Sequence, residues 1–209
     1  MTTRIGLISD VHATPAPLQE ALDLFARERV SAIFCAGDIA GYGKELEETV
    51  GLLAASGCRS ILGNHDLWWL ADREADDDSS VVSFLRGLPL VMEHEMEGVR
   101  VVMVHGAPPA SVMEGIRLLD EDGDIIDDVR DFWLDELSGC AADVLVVGHT
   151  HQVFAEQFGN VLVINPGSTL FNHTCAILEL PARKVDFLAL GGHRPEKVWN
   201  WGLQFRRPS

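Results

Sequence analysis

Six short apolar runs rich in β-branched residues constrain the fold of this chain more than any other feature. Such near-continuous apolar character is typical of strands buried on both faces of a sheet. Apolar residues spaced three and four apart separate the first three runs, within residues 18–25 and 46–54, and this spacing predicts helices. The chain therefore opens as a predicted β-α-β-α-β unit with parallel strands. The six runs are Ile5–Ile8, Ala32–Cys35, Ser60–Leu62, Val99–Val104, Val144–Val147 and Val161–Ile164.

In the second half of the chain, the alternation of strand and helix patterns gives way to strand patterns joined by short turns. Residues 91–95 and 100–104 flank Gly98 and predict a hairpin. Short strand patterns with tight turns then follow as a meander, in residues 153–157, 161–164, 174–180 and 184–190. This order favours an α/β (α+β) fold, in which two mixed β-sheets pack as a sandwich flanked by helices, over one doubly wound sheet.

The length predicts a single domain over residues 1–209. Two segments interrupt the strand pattern, and we interpret them as insertions near residues 72–90 and 107–140. In the first, Ser79 or Ser80 is expected to cap a helix through residues 84–85. The second carries a helical stretch around residues 129–137.

The charge balance limits the classes of partner. Sixteen basic and 32 acidic residues give a formal net charge of −16, and the only basic cluster is a short tail at Arg206 and Arg207. We therefore expect no nucleic acid as a structural partner. No apolar run is long enough to span a membrane, and the N-terminus lacks a signal-peptide pattern, which predicts a cytoplasmic protein. Because the whole chain repels phosphate at long range, any attraction for it must be local, and bound cations are the obvious source.

Five polar motifs directly follow apolar runs. Because ligands of open α/β sheets gather at the carboxyl ends of strands, we expect these motifs to converge on one rim. Their carboxylate, imidazole and amide groups favour Mn, Fe, Zn or a similar divalent ion over Ca²⁺ or a thiolate-bound zinc. Any one motif alone is more often a turn or a satisfied core polar group, but the joint occurrence favours a metal site. The motifs are Asp10-Val11-His12, Gly37-Asp38, Gly63-Asn64-His65-Asp66, His105-Gly106 and Gly148-His149-Thr150-His151.

In this order the motifs resemble those of the calcineurin-like metallophosphoesterases, in particular the small prokaryotic phosphodiesterase-type members. The resemblance spans roughly residues 4–168, including the turn at residues 165–168. It implies a two-sheet sandwich with two divalent ions, Mn favoured among Mn, Fe, Zn and Ni. It also implies the ligands: Asp10, His12 and His151 for the first ion, Asn64, His105 and His149 for the second, and Asp38 shared between them.

The resemblance further implies hydrolysis of a phosphoester. A hydroxide bridging the two ions would attack phosphorus, and His65 would protonate the leaving oxygen as a general acid. Two divalent ions, two carboxylates and the hydroxide would leave one positive charge inside an acidic protein. Asp38 and His65 are thus the expected catalytic residues, and Asn64, His65 and Tyr42 the expected contacts of a small phosphoester substrate.

One departure from the family bears on the substrate. Members that act as Ser/Thr protein phosphatases carry G-D-x-x-D-R-G after the second strand, whereas Gly41 and Tyr42 stand here in place of the Asp and Arg. Without the Arg, a phosphomonoester dianion loses a bidentate partner. This favours a phosphodiester, and a phosphomonoesterase or protein phosphatase of the same fold stays open as an alternative.

Three further alternatives stay open. Some proteins of this fold are scaffolds, among them the retromer subunit, although the His of G-N-H retained here favours catalysis. Trp68 and Trp69 either pack the acidic insertion onto the body or line a base- or lipid-binding wall. For Tyr42, a position at the edge of the site and a position away from it are equally open. The Trp-rich tail Val198–Phe205, with Trp199 and Trp201, could dock on a second chain and make a homo-oligomer.

Overall fold

The computed structural model describes residues 2–192, which form ten strands and five helices. The strands are β1 (Thr3–Ile8), β2 (Ala32–Cys35), β3 (Arg59–Ser60), β4 (Val91–Met96), β5 (Val99–Val104), β6 (Val144–Val146), β7 (Val153–Phe158), β8 (Val161–Pro166), β9 (Thr174–Leu180) and β10 (Lys184–Ala189). The helices are α1 (Pro15–Arg27), α2 (Leu46–Ala55), α3 (Asn64–Ala71), α4 (Ser80–Arg86) and α5 (Asp127–Glu136).

The strands form two mixed five-stranded sheets. The first has the order β10-β9-β1-β2-β3, with β1, β2 and β3 parallel and β9 antiparallel to its neighbours. The second has the order β4-β5-β6-β8-β7, with β5, β6 and β8 parallel and the hairpin strands β4 and β7 at its edges. The predicted sandwich of two mixed sheets and the predicted opening β-α-β-α-β unit are confirmed.

Three apolar clusters hold the layers together. Between the sheets, Ile5 and Leu7 of β1 meet Val101 and Met103 of β5. Ile8 instead faces the layer of α1, α2 and α4, because successive side chains of a strand point to opposite faces. The predicted apolar stripe of α1 lies in that same cluster. The outer face of the second sheet is covered by the insertion between β5 and β6.

One helix was not expected from the sequence. The motif at Asn64–Asp66 begins α3. Asp66 is the third residue of this helix, and its Oδ2 accepts a hydrogen bond from the backbone N–H of Gly63 at 2.9 Å. An acidic side chain that reaches back to the preceding backbone in this way caps a helix start. In α4 the expected cap is present, because Ser79 Oγ accepts from Val82 N at 3.4 Å.

Between residues 2 and 192 no helix is both long and apolar enough to cross a lipid bilayer. The cytoplasmic location expected from the sequence stays a prediction. The tail Val198–Phe205, expected as a possible docking segment, and the basic pair Arg206 and Arg207 lie outside the described residues.

Candidate functional site

The five motifs lie together at one edge of the sandwich, where β1, β2, β5 and β6 end and α3 begins. Backbone hydrogen bonds join the segments that carry them. Asp10 N donates to Gly37 O at 3.0 Å, and His12 N donates to Asp38 O at 2.9 Å. Across the two sheets, His149 N donates to the Asp10 carboxylate at 3.2 Å. We call this edge the motif rim.

The backbone of the motif rim is strained. Five of the seven predicted ligands have a positive φ, between 52° and 64°. Asp and His adopt this left-handed region more readily than most residues, yet each instance costs on the order of 1 kcal/mol or more. Such conformations persist where the surrounding structure enforces them, and they concentrate at functional sites. The five are Asp10, His12, Asp38, His149 and His151.

The first group of donor atoms belongs to Asp10, His12 and His151. Nε2 of His151 lies 3.3 Å from Nε2 of His12 and 3.3 Å from Oδ1 of Asp10. Two ligands bound at about 2.1 Å to one ion, at angles near 90–110°, lie roughly 3–3.4 Å apart. Nδ1 of His12 is 3.2 Å from the Ala40 carbonyl. A proton on Nδ1 would be donated there, which leaves the Nε2 lone pair directed into the group.

The second group contains Asp38, Asn64, His105 and His149. Nε2 of His105 lies 3.4 Å from Oδ2 of Asp38, and its Nδ1 lies 2.6 Å from the Ala36 carbonyl. The Asn64 amide end lies 3.2 Å from His105 Nε2 and 2.9 Å from His149 Nδ1. With its nitrogen in that position Asn64 would donate to both rings. With its oxygen there, the three side chains present lone pairs to a shared cation.

Buried charge dominates the electrostatics of the motif rim. Burial alone would raise the pKa of Asp10, but His151, His105 and His12 outweigh it and lower that pKa. Burial likewise opposes ionisation of Asp38, but the nearby His105 outweighs the effect of burial and lowers the pKa of Asp38. Burial opposes a charge on His105, but Asp38 and Asp10 raise its pKa to about 9. Two ionised carboxylates that are at most 2% exposed require positive charge nearby, which divalent cations would supply.

Asp66 ties the Asp38 segment to α3. Its Oδ1 accepts from Ala40 N at 2.7 Å while Oδ2 accepts from Gly63 N. Burial and the Asp38 charge raise its pKa to about 7. The side chain is fully buried and positions residues on both sides of it. Sequence reasoning gave Asp66 no role, although an acid three residues after a glycine that starts a helix is a recognisable cap.

The turn at residues 165–168 is hydrogen-bonded to the segments that form the motif rim. Asn165 Nδ2 donates to Gly148 O at 2.9 Å and to Thr150 Oγ1 at 3.1 Å. Ser168 Oγ donates to Asp10 O at 2.6 Å. This turn therefore fixes the backbone on which Asp10 and the G-H-x-H motif sit.

His65 lies beside the first donor group, among rings that contact it edge-on or at a tilt. Its ring centroid is 5.0 Å from that of His12, 4.8 Å from Tyr42 and 4.9 Å from Trp68. His65 N donates to Asp38 Oδ1 at 2.8 Å. Tyr42 and Trp68 are 56% and 52% exposed, so their outer faces are open to a ligand. We call Tyr42, His65 and Trp68 the aromatic wall.

The geometry explains the glycine at position 41. A Cβ there would lie 2.8 Å from His12 Nδ1 and 3.0 Å from His65 Nδ1, and the φ of Gly41 is +122°. No Asp fits this position without displacing both rings. Tyr42 occupies the next position by packing edge-on against His12, with centroids 4.7 Å apart.

The two neighbouring tryptophans have different surroundings. Trp68 lines a cavity of about 340 Å³ together with Asp38, His65 and His149. Trp69 packs against the apolar cluster of α1, α2 and α4 and lies under the Arg73 guanidinium, 4.2 Å from its ring centroid. Trp69 therefore packs into the body of the domain, whereas Trp68 faces the cavity, and a base- or lipid-binding role for Trp68 stays a prediction.

Two residues that the sequence did not single out also line this cavity. Met113 and Arg117 reach it from the insertion between β5 and β6. Nothing in the local sequence marks them, because each is an isolated side chain in an irregular segment. His94, outside the motifs, instead stacks on Phe34 with centroids 5.2 Å apart.

Comparison with known proteins agrees with this geometry. A family model described as a calcineurin-like phosphoesterase superfamily domain matches residues 3–182. Uncharacterized protein MJ0912 of Methanocaldococcus jannaschii is 29% identical over 196 residues, covering 78% of this chain and 75% of that protein. A symmetrical bis(5'-nucleosyl)-tetraphosphatase of Paracidovorax citrulli is 30% identical over 118 residues, covering 47% of this chain and 42% of that enzyme. The crystal structure of a metallophosphoesterase from Sphaerobacter thermophilus superposes with a TM-score of 0.68 at 25% identity, covering 88% of this chain and 87% of that chain.

Proposed function

Because the chain belongs to the calcineurin-like phosphoesterase superfamily, we propose that it is a dinuclear metal-dependent phosphoesterase, with a phosphodiester as the favoured substrate. The observation that carries this proposal is the overlap of the donor groups. Asp10, His12 and His151 lie within 4.8 Å of one another, and so do Asp10, Asp38 and His105. Two such groups around shared carboxylates suit a pair of neighbouring divalent ions better than one.

We assign the ligands by position. Asp10, His12 and His151 hold the first ion, and Asn64, His105 and His149 hold the second. Asp38 lies between the groups, since its carboxylate approaches His105 and also belongs to a group with His12 and His65. The mixed oxygen and nitrogen donors suit Mn, Fe, Zn or Ni, with Mn favoured.

Ions held by these residues would supply an activated water and would neutralise charge on the phosphoryl oxygens. His65 stands at the mouth of this site without belonging to either assigned ligand set. From there it donates a proton to the oxygen of the departing alcohol as a general acid. Asp38 holds His65 in place through the hydrogen bond to its backbone N–H.

The preference for a diester follows from Gly41 and Tyr42. The wall next to His12 and His65 presents rings and no guanidinium, and a phosphomonoester dianion would find no bidentate partner on this side. A diester carries one negative charge and an additional organic group, which suits an aromatic surface. Tyr42, Asn64 and His65 are the proposed substrate contacts on this side.

The test is hydrolysis of bis(p-nitrophenyl) phosphate and p-nitrophenyl phosphate by metal-free protein reloaded with Mn²⁺, Fe²⁺, Zn²⁺ or Ni²⁺. We expect metal-dependent turnover that is faster for the diester, with about two ions per chain by elemental analysis. Faster turnover of the monoester would favour the phosphomonoesterase alternative. Folded, metal-loaded protein without turnover of either ester would favour a scaffold of the retromer-subunit type.

A further inference from the structure

The segment at residues 111–119, which we call the insertion loop, is fixed against the motif rim. Gln152 Oε1 accepts from Leu118 N at 2.7 Å and Leu119 N at 3.0 Å, and Gln152 Nε2 donates to Leu119 O at 2.7 Å. Thr150 Oγ1 donates to Ile116 O at 3.3 Å. Both Thr150 and Gln152 adjoin a proposed metal ligand.

The glycine in the middle of the insertion loop shows how close this packing is. A Cβ on Gly115 would lie 2.5 Å from Thr150 Cγ2 and 2.8 Å from His149 Cδ2. At the start of the loop, Gly106 N donates to Ser111 O at 2.9 Å, directly after His105. Met113 and Arg117, on either side of Gly115, are therefore held beside the cavity by a backbone that is anchored at both ends.

Arg117 is the one Lys or Arg among the described residues that line this cavity. The chain has a net charge of −16, so its long-range field disfavours anionic ligands. A guanidinium carries several donors in a fixed plane, a geometry that suits phosphate oxygens. It comes from the insertion, whereas the aromatic wall comes from α3 and the Gly41 segment.

The exposed parts of the cavity thus combine two kinds of surface. Trp68 and Met113 are 52% and 56% exposed, and such side chains bind flat aromatic groups by stacking and by burial of apolar surface. Arg117, which is not one of the proposed metal ligands, adds a positive charge to the lining of this cavity. A cavity of about 340 Å³ has the size of a small-molecule pocket.

We propose that the site takes nucleotides that carry a second phosphate next to the scissile one, with Arg117 binding the second phosphate and Trp68 and Met113 holding the base. This rests on the proposed function, because the scissile phosphate is assigned to the metal site. It adds three specificity-determining residues that are not among the proposed metal ligands, one for the second phosphate and two for the base.

The experiment is calorimetric binding to Mn²⁺-loaded protein, with two probes that cannot be hydrolysed: adenosine 5'-(α,β-methylene)diphosphate and methylenediphosphonate, the same anion without the nucleoside. We expect Arg117→Gln to weaken both about tenfold or more, the typical value of a charge-assisted hydrogen bond. We expect Trp68→Leu to weaken only the nucleotide, by about fivefold or more, as for loss of base stacking.

Matched controls come from α5 of the same insertion. Arg130→Gln and Phe132→Leu, at exposed residues away from the cavity, should leave both affinities within about twofold. Arg117→Lys should restore part of the lost binding because it retains the charge. Equal binding by Arg117→Gln and Arg130→Gln would overturn the proposal, as would equal affinity of the wild type for the two probes.

Turnover separates this inference from the proposed function. Arg130→Gln, at an exposed residue of α5 away from the cavity, should hydrolyse bis(p-nitrophenyl) phosphate within about twofold of the wild-type rate. If the wild type hydrolyses that ester but does not bind the nucleotide, the nucleotide assignment is wrong and the phosphoesterase assignment stands. If it binds the nucleotide in the Arg117-dependent way but hydrolyses no ester, the proposed function is wrong instead.

Discussion

The motif rim and the insertion loop border the same cavity but are built in opposite ways. In the motif rim the functional side chains are buried: Asp10, His12 and His105 have no exposed surface. In the insertion loop the backbone is anchored by the buried residues Ile116 and Leu118, and the side chains that reach the cavity are exposed. A buried, strained rim suits chemistry that tolerates little displacement of the reacting groups. Exposed side chains on an anchored loop can be substituted without disturbing the rim.

The largest effect should come from the charge that the two donor groups share. Asp38→Asn retains the shape of the side chain but removes the negative charge between them. We expect the rate with Mn²⁺ to fall by about 10²–10³-fold, the scale for loss of one electrostatic group in an active site, and the metal content to fall with it. Elemental analysis and steady-state hydrolysis of bis(p-nitrophenyl) phosphate measure both.

The control for Asp38 is Asp128→Asn, on the exposed first turn of α5, which should change neither quantity. Full metal content and full rate in Asp38→Asn would mean that the carboxylate does not bridge the two groups.

His65 tests whether one member of the motif rim acts without holding metal. We expect His65→Ala to retain its metal while the rate falls about 10²-fold or more, because the leaving oxygen loses its proton donor. An ester with a better leaving group should lose less rate, since it needs less protonation. His94→Ala, a histidine remote from the motifs, is the matched control. Loss of metal from His65→Ala would make His65 a ligand and contradict our assignment.

Substitution of Asp66 tests how far metal binding at the motif rim depends on the two backbone hydrogen bonds that this carboxylate accepts. Asp66→Ala leaves the N–H groups of Ala40 and Gly63 without their acceptor, at a cost of about 1–3 kcal/mol each in the free energy of unfolding. Because both segments carry proposed ligands, we also expect metal affinity to fall about 10–100-fold. Urea unfolding and metal titration measure the two effects. Asp66→Asn retains one acceptor oxygen and should lie between the wild type and Asp66→Ala, and an unchanged metal affinity in both variants would show that this tie does not position the ligands.

The sequence predicted the motif rim because each of its motifs follows a strand, and parallel strands end at a common edge. Position in the fold therefore follows from position along the chain for Asp10, Asp38 and His105. Arg117 has no such relation. It lies in an irregular segment, and its place at the cavity depends on contacts of Thr150 and Gln152 with backbone groups more than thirty residues away. Sequence patterns report local periodicity. They therefore predicted the position of the insertion along the chain, but not which of its side chains lie at the site.

The smallest effect should come from loosening the insertion loop alone. Gln152→Leu removes the acceptor of two backbone N–H groups and the donor to Leu119 O, and we expect it to lower the free energy of unfolding by about 1–3 kcal/mol. Metal content and hydrolysis of bis(p-nitrophenyl) phosphate should stay within about twofold of wild type, because the motif rim keeps its own hydrogen bonds. Affinity for adenosine 5'-(α,β-methylene)diphosphate should fall in Gln152→Leu, since Arg117 is no longer held at the cavity. A loss of metal in this variant would mean that the loop and the motif rim form one structural unit, and the division between them would not hold.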